Sequence, residues 1–139
     1  MSFDHVVRDL EADECWLYLS REDVGRLATD FGGEIDIFPV NYYADGSSIL
    51  IRTAPGTKLL ALSEHALVAF EVDSHTGDSA WSVVVKGHGR QLETKQEIAA
   101  AEQAPFSSWT PQLGYRFARI EPTGISGRTF LRLPDADRY

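Results

Sequence analysis

Short β-strands separated by tight turns are the feature that most constrains the fold of this chain. Residues 34–43 alternate isoleucine with acidic side chains at their start, which is the period of two expected for a strand with one buried face. Turn sequences flank this segment, Gly32-Gly33 before it and Asp45-Gly46 after it, and such turns join antiparallel neighbours. The sequence therefore predicts consecutive antiparallel strands at residues 24–31, 34–43 and 47–53.

The remainder of the chain continues this pattern, with a few short helices between the strands. Further strands are predicted at residues 66–72, 80–92, 115–120 and 124–133, and helices at 9–19, 57–64 and 95–103. Residues 66–72 are almost all apolar, as expected for a strand covered on both faces. Gly87 and Gly89 in the longest strand predict a bend or a close backbone approach. Six or seven short antiparallel strands predict a mainly β protein with a closed or partly closed barrel.

Length and charge limit the classes of partner. The 139 residues suit a single domain spanning residues 1–139. The formal charge is −8, with 13 Lys and Arg against 21 Asp and Glu, so a general attraction to nucleic acid or to an anionic membrane is disfavoured. The start of the chain lacks the apolar core of a signal peptide, and no stretch approaches the roughly 20 apolar residues that cross a bilayer. We therefore expect a cytoplasmic protein whose anion sites, if any, are local.

A metal centre and the common hydrolytic motifs are not expected from this sequence. The single cysteine, Cys15, excludes an intramolecular disulfide and a cysteine-rich metal site, and it suits a reducing compartment. None of the four histidines has the spacing of paired metal ligands; they are His5, His65, His75 and His88. Neither a nucleophile elbow nor a phosphate-binding glycine loop of the nucleoside triphosphatases occurs, and the residues by themselves identify no catalytic group.

Residues 47–62 contain a candidate anion site. A predicted strand ends in Arg52 and Thr53, and after a Pro55-Gly56 turn a predicted helix begins at Thr57 and Lys58. Backbone N–H groups at the start of a helix have no partner within the helix, and cations there are unfavourable unless an anion is present. These residues therefore predict a phosphate pocket, although an ordinary helix cap beside a solvated strand end is the alternative interpretation.

Five segments together resemble the pyridoxamine 5′-phosphate oxidase-like family of flavin-binding split barrels, and their order and spacing cover nearly the whole chain. The matching segments are Gly25-Arg26-Leu27-Ala28, Phe38-Pro39-Val40-Asn41-Tyr42, Ile51-Arg52-Thr53-x-x-Gly56-Thr57-Lys58, Trp81-Ser82-Val83-Val84-Val85-x-Gly87 and Ile125-x-Gly127-Arg128. The resemblance implies a six-stranded split barrel that forms a homodimer, with FMN bound at the interface between the subunits.

The resemblance also implies a role for particular residues. The segment that lies along the isoalloxazine ring would be Phe38, Pro39, Val40 and Asn41. The phosphate would be held by Arg52, Thr53, Thr57 and Lys58. The residues that reach the flavin from the second copy would be Trp81, Ser82 and Arg128. From the residues alone, Trp81 is more simply explained by packing than by stacking on a ligand.

The end of the chain departs from the vitamin B6 oxidase that gives the family its name. That enzyme closes with a Trp and a later Arg-x-His that hold the substrate, and residues 127–133 do not supply them. Oxidation of pyridoxamine phosphate is therefore not expected. The resemblance instead implies an FMN-dependent oxidoreductase acting on a small organic molecule by hydride transfer at the flavin. The alternatives are an F420-dependent reductase and a non-catalytic module that binds flavin or haem.

Overall fold

A computed structural model describes residues 6–53, 66–106 and 115–131. The described residues form a mainly β structure of seven strands and two helices. In chain order the elements are β1 (Val7–Asp9), α1 (Ala12–Leu19), β2 (Val24–Phe31), β3 (Glu34–Ala44), β4 (Ile49–Thr53), β5 (Ala66–His75), β6 (Ser79–Gln91), α2 (Lys95–Glu102) and β7 (Arg116–Leu131). The predicted helix at residues 57–64 lies outside the described residues.

Six of the strands close into a ring. The hydrogen-bonded order is β1-β7-β4-β3-β2-β5-β6, and β6 also pairs with β7, so that β2 to β7 form a continuous antiparallel circuit. β1 adds a seventh strand by pairing with the far end of β7, where Val7 is in register with Phe130. The predicted mainly β, antiparallel fold is confirmed, and closure leaves few of the strand edges that invite association with other chains.

Two details of the strand prediction were wrong. Residues 115–120 and 124–133 were predicted as separate strands, but one strand, β7, runs through both. Pro122 lies between the two predicted segments, opposite Gly87 at an irregularity in the ladder, where a missing N–H is tolerated. β1 was not predicted because its three side chains are all exposed and show no alternation.

Gly87 marks the bend that the sequence predicted in the long strand. The register between β6 and β7 shifts between Lys86 and Gly87, so that Lys86 lies opposite Gly124 and Gly87 opposite Pro122. A Cβ atom on Gly87 would collide with the backbone carbonyl of Glu121. The two strands therefore approach each other so closely at this point that only glycine, which has no Cβ, fits without a collision.

The main core fills the interior of the ring. Alternate side chains of the strands point inward, and the largest that are completely buried include Phe70, Leu27, Ile49, Ile51 and Ile120. Helix α1 covers this core with Leu19 and Cys15, both of which are fully buried. Burial in this core raises the pKa of the Cys15 thiol.

The outer face of β5 differs from expectation. Its apolar composition predicted a strand covered on both faces, but Leu67 on the outer face is 70% exposed in this chain. Apolar side chains of neighbouring strands are exposed on the same side, among them Ile35 at 77% and Ile37 at 67%. Across β2 the register places Ala28 between Ile37 and Ala69. This exposed apolar face is defined by Ala28, Ile35, Ile37, Leu67 and Ala69.

Helix α2 covers a different part of the outer surface. A second cluster of buried side chains lies between this helix and the strands β4 and β7, and consists of Leu50, Leu92, Ala101 and Phe117. The helix begins in a capping box, in which Thr94 Oγ1 accepts a hydrogen bond of 3.1 Å from the Glu97 N–H. The Glu97 carboxylate also pairs with Arg90 at 2.7 Å. The capping box and ion pair tie the start of α2 to the end of β6.

Neither helix in the described part of the chain has the length and hydropathy needed to cross a membrane.

Candidate functional site

Residues 38–41 of β3 divide between the two faces of the sheet. Val40 is 4% exposed and points into the core, where Phe38 also packs, whereas Pro39 lies on the outer side and is exposed. β4 pairs with β3 only from Asn41 to Ala44, so at Pro39 the described sheet continues on the β2 side alone. Pro39 therefore lies at an edge of the described part of the sheet, where a residue without an N–H is tolerated.

Asn41 and Arg52 are neighbours on the outer surface. They lie directly opposite each other in the β3–β4 ladder, and the Asn41 side chain donates a 3.2 Å hydrogen bond to the Asp23 carbonyl. The guanidinium carbon of Arg52 lies 4.6 Å from the ring centroid of Phe106 and 4.2 Å from that of Tyr115. The structure thus brings a predicted ring-binding residue beside a predicted phosphate-binding residue.

The predicted phosphate pocket is described only in part. Thr53 ends β4, where it lies opposite Arg116 of β7. Thr57 and Lys58 lie outside the described residues. The described half of the pocket therefore consists of Arg52 and Thr53 at the end of one strand.

Trp81 and Ser82 point to opposite faces of β6. The Trp81 ring packs against Tyr18 of α1 with a centroid distance of 5.0 Å, and it contacts the main core. This contact supports the packing role that the residues alone suggested. Ser82 lies on the outer side, opposite Arg128, whose Nε is 3.2 Å from an Asp9 carboxylate oxygen. Ser82 and Arg128 share the lining of a cavity of about 530 Å³.

Ser82 and Arg128 lie beside the opposite end of β7 from Asn41 and Arg52. Arg52 lies opposite Phe117 of β7, and Arg128 follows Phe117 by eleven residues in the same strand. At about 3.3 Å per residue this separation is about 36 Å along the strand. Arg52 and Arg128 therefore lie beside opposite ends of β7.

A charged cluster beside Pro39 was not identified as functional from the sequence. Arg26, which lies opposite Pro39, pairs with Glu71 at 2.8 Å and with Asp73 at 2.9 Å. Burial and a hydrogen bond with Asp73 raise the pKa of Glu71. The alternation of buried Val72 with acidic neighbours could have revealed this cluster, but residues 66–72 were interpreted as covered on both faces. Because its side chains are about a third to a half exposed, the cluster contributes little net stability.

No group of three or more His, Cys, Asp or Glu side chains within residues 6–53, 66–106 and 115–131 is placed to hold a metal ion. The described geometry instead offers a cation, Arg52, beside an exposed strand edge at Pro39. A guanidinium in such a position suits a ligand with an anionic group such as a phosphate.

Solved structures share this architecture. A Corynebacterium glutamicum protein named after pyridoxamine 5′-phosphate oxidase is 36% identical, with 95% of this chain and 98% of that one covered at a TM-score of 0.84. A structure described as the FAD-binding protein of Mycobacterium smegmatis is 35% identical, with coverages of 89% and 98% and a TM-score of 0.77. An FAD-binding protein of Mesorhizobium loti is 29% identical, with coverages of 88% and 97% and a TM-score of 0.74.

Sequence comparison finds a related protein and a matching family model. An uncharacterized protein of Mycobacterium tuberculosis is 39% identical over 93 residues, which cover 67% of this chain and 84% of that protein. The family model described as pyridoxamine 5′-phosphate oxidase matches residues 11–129. This range contains β2 to β6 and all but the last two residues of β7. The chain therefore belongs to the pyridoxamine 5′-phosphate oxidase family.

Proposed function

We propose that this chain binds FMN between two copies of itself and acts as an oxidoreductase on a small organic molecule. The observation that carries the proposal is the pairing of Asn41 with Arg52 beside the exposed edge at Pro39. In a chain with a net charge of −8, a cation held in this position favours a local anion such as a phosphate.

The described residues fit a phosphorylated flavin. Pro39 and the neighbouring backbone form an exposed edge along which a flat ring can lie, and Asn41 offers an amide next to it. Arg52 supplies a planar set of N–H donors that matches a phosphate. We propose that Thr53, Thr57 and Lys58 complete the phosphate site, as the family resemblance implies.

The second copy is supported by two features of the single chain. Phe117, which lies opposite Arg52, and Arg128, which lies opposite Ser82, are eleven residues apart in β7, and we infer that a site using both groups takes them from different copies. The exposed apolar face of β2, β3 and β5 leaves Ile35, Ile37 and Leu67 largely in solvent, and a contiguous apolar surface of this kind marks an association site. In a two-fold dimer each copy would contribute Arg52 to one site and Ser82 and Arg128 to the other. This arrangement gives two equivalent sites.

The flavin supplies the hydride chemistry when it is bound, so the chain needs no acid–base pair of its own. In this proposal the chain's residues bind and orient the cofactor. Arg52 and Lys58 neutralise the phosphate. Asn41 and Ser82 donate or accept hydrogen bonds at the flavin ring. Pro39 leaves one edge of the flavin ring open to a small substrate.

The test is the absorption spectrum of the purified protein, followed by titration of the apoprotein with FMN and sedimentation analysis. We expect a flavin spectrum, saturable FMN binding and a dimer. A colourless protein that does not bind added FMN would refute the proposal. F420 and haem are titrated in parallel, because tighter binding of either would replace FMN as the cofactor.

FAD is a second candidate cofactor, and similar structures favour it. The proteins of M. smegmatis and M. loti, 35% and 29% identical to this chain, are described as FAD-binding. FAD contains the same ring and the same first phosphate as FMN, so the residues proposed here would serve both. Competition between FMN and FAD for the apoprotein decides which cofactor binds more tightly.

Turnover separates an enzyme from a module that only binds flavin. We expect NADH or NADPH to reduce the bound flavin, and quinones or nitroaromatic compounds to reoxidise it. If the flavin binds tightly but is neither reduced nor reoxidised by these reagents, the protein is instead a flavin-binding module without turnover.

A further inference from the structure

Two aromatic rings flank the Arg52 guanidinium. Its central carbon lies over the Phe106 ring at 4.6 Å and over the Tyr115 ring at 4.2 Å, both within the range of a cation–π contact. Phe106 follows α2, and Tyr115 immediately precedes β7. Residues far apart in the chain therefore meet at one charged side chain, and the family resemblance assigns no role to either ring.

The rings are themselves held by packing. Phe106 lies 6.1 Å from Phe117, measured between ring centroids, and both Phe106 and Tyr115 pack on the cluster formed by α2, β4 and β7. The capping box and the pair between Arg90 and Glu97 tie α2 to the end of β6. The two rings beside Arg52 are therefore held in place by packing against α2, β4 and β7.

We propose that Phe106 and Tyr115 are positioning residues that hold Arg52 in the orientation that binds the phosphate of the flavin. This inference rests on the proposed function. An arginine side chain loses much rotamer freedom when it is fixed to one ligand, and stacking on rings removes that freedom before the ligand binds. A cation–π contact uses the face of the guanidinium, whereas a phosphate is bound by N–H groups at its edge, so the two kinds of contact are geometrically compatible.

The inference predicts a loss that is specific for the phosphate. Replacing one ring by leucine should weaken FMN binding about 2- to 5-fold, the equivalent of one partly exposed cation–π contact. Riboflavin has the same ring system and ribityl chain without the phosphate, so its affinity should not change. A ring that only supported the fold would weaken both ligands together.

The experiment measures dissociation constants for FMN and riboflavin by flavin fluorescence in the intact chain, for wild type, F106L, Y115L and Y115F. Y115F keeps the ring and is the matched control. We expect F106L and Y115L to weaken FMN alone, and Y115F to bind both ligands like the wild type. In an Arg52→Ala background, F106L should cause no further loss of FMN affinity.

Three results would overturn the inference: unchanged FMN affinity in both leucine variants, equal losses for FMN and riboflavin, or a full additional loss from F106L in the Arg52→Ala background. These results differ from failure of the proposed function, in which the wild-type protein itself binds no FMN and both proposals fall. The two rings are tested separately, so poor folding of one leucine variant leaves the other as an independent test.

Discussion

The Gly87→Ala substitution tests the close approach that allows β6 and β7 to close the ring. The added Cβ would collide with the Glu121 carbonyl oxygen, and it would lie 2.9 Å from both the Glu121 carbonyl carbon and the Pro122 Cα. These are backbone atoms in a paired strand, so relief requires the two strands to move apart. We expect a loss of about 1–3 kcal/mol in the free energy of unfolding, the usual cost of forcing extra atoms into a packed site.

Gly124→Ala is the matched control, because Gly124 lies opposite Lys86 in the same pair of strands and no atom lies within 4 Å of an added Cβ. Alanine is preferred to glycine within a strand, so this variant should gain about 0.5–1 kcal/mol. Urea unfolding at one fixed protein concentration, followed by fluorescence of the partly buried Trp16 and Trp81, gives both values. Equal stabilities for the two variants would refute the argument about strand approach.

Three further predictions address the core, the helix anchor and the phosphate site. Tyr42→Phe should destabilise the protein by about 1–3 kcal/mol in urea unfolding, because the buried hydroxyl donates a 2.6 Å hydrogen bond to the Leu19 carbonyl, which would lose its partner. The Arg90 guanidinium lowers the pKa of Glu97 to about 2. The stability that this depressed pKa provides is therefore present above the normal pKa of a glutamate, about 4.3, and is lost as pH falls towards 2; Glu97→Gln should flatten that part of the pH–stability curve, and an unchanged curve would contradict the assignment. Lys58→Ala should weaken FMN binding by about 1.5–3 kcal/mol, the size of a charge-assisted hydrogen bond, and an unchanged dissociation constant would remove Lys58 from the site.

The apolar outer face connects a wrong prediction to the proposed function. Residues 66–72 have the composition of a strand covered on both faces, yet Leu67 is 70% exposed in the single chain. In the dimer proposed above, a second copy packed on this face would reconcile the composition with the structure, and FMN binding would depend on the same contact. Substitution of Ile37 by a charged residue, followed by sedimentation and FMN titration, tests both consequences at once.

Local signals in the sequence predicted the strands at residues 24–31 and 34–43, the turns between them and helix α2, because side-chain alternation and capping depend on residues close together in the chain. The same signals placed a bend or close backbone approach at Gly87. They failed at β1, which has no buried side chain, and at residues 121–123, where β7 continues opposite an irregularity in β6 instead of dividing into two strands.

The sequence by itself determined the mainly β architecture, the family and the residues expected at a flavin site, since these follow from local patterns and from motifs in a fixed order. Only the tertiary structure decided which of those residues meet. It placed Asn41 beside Arg52, separated Arg52 from Arg128 along β7, and brought Phe106 and Tyr115 to the same guanidinium. The physical reason is that strand register and ring closure depend on pairing between distant segments, which short-range periodicity does not encode.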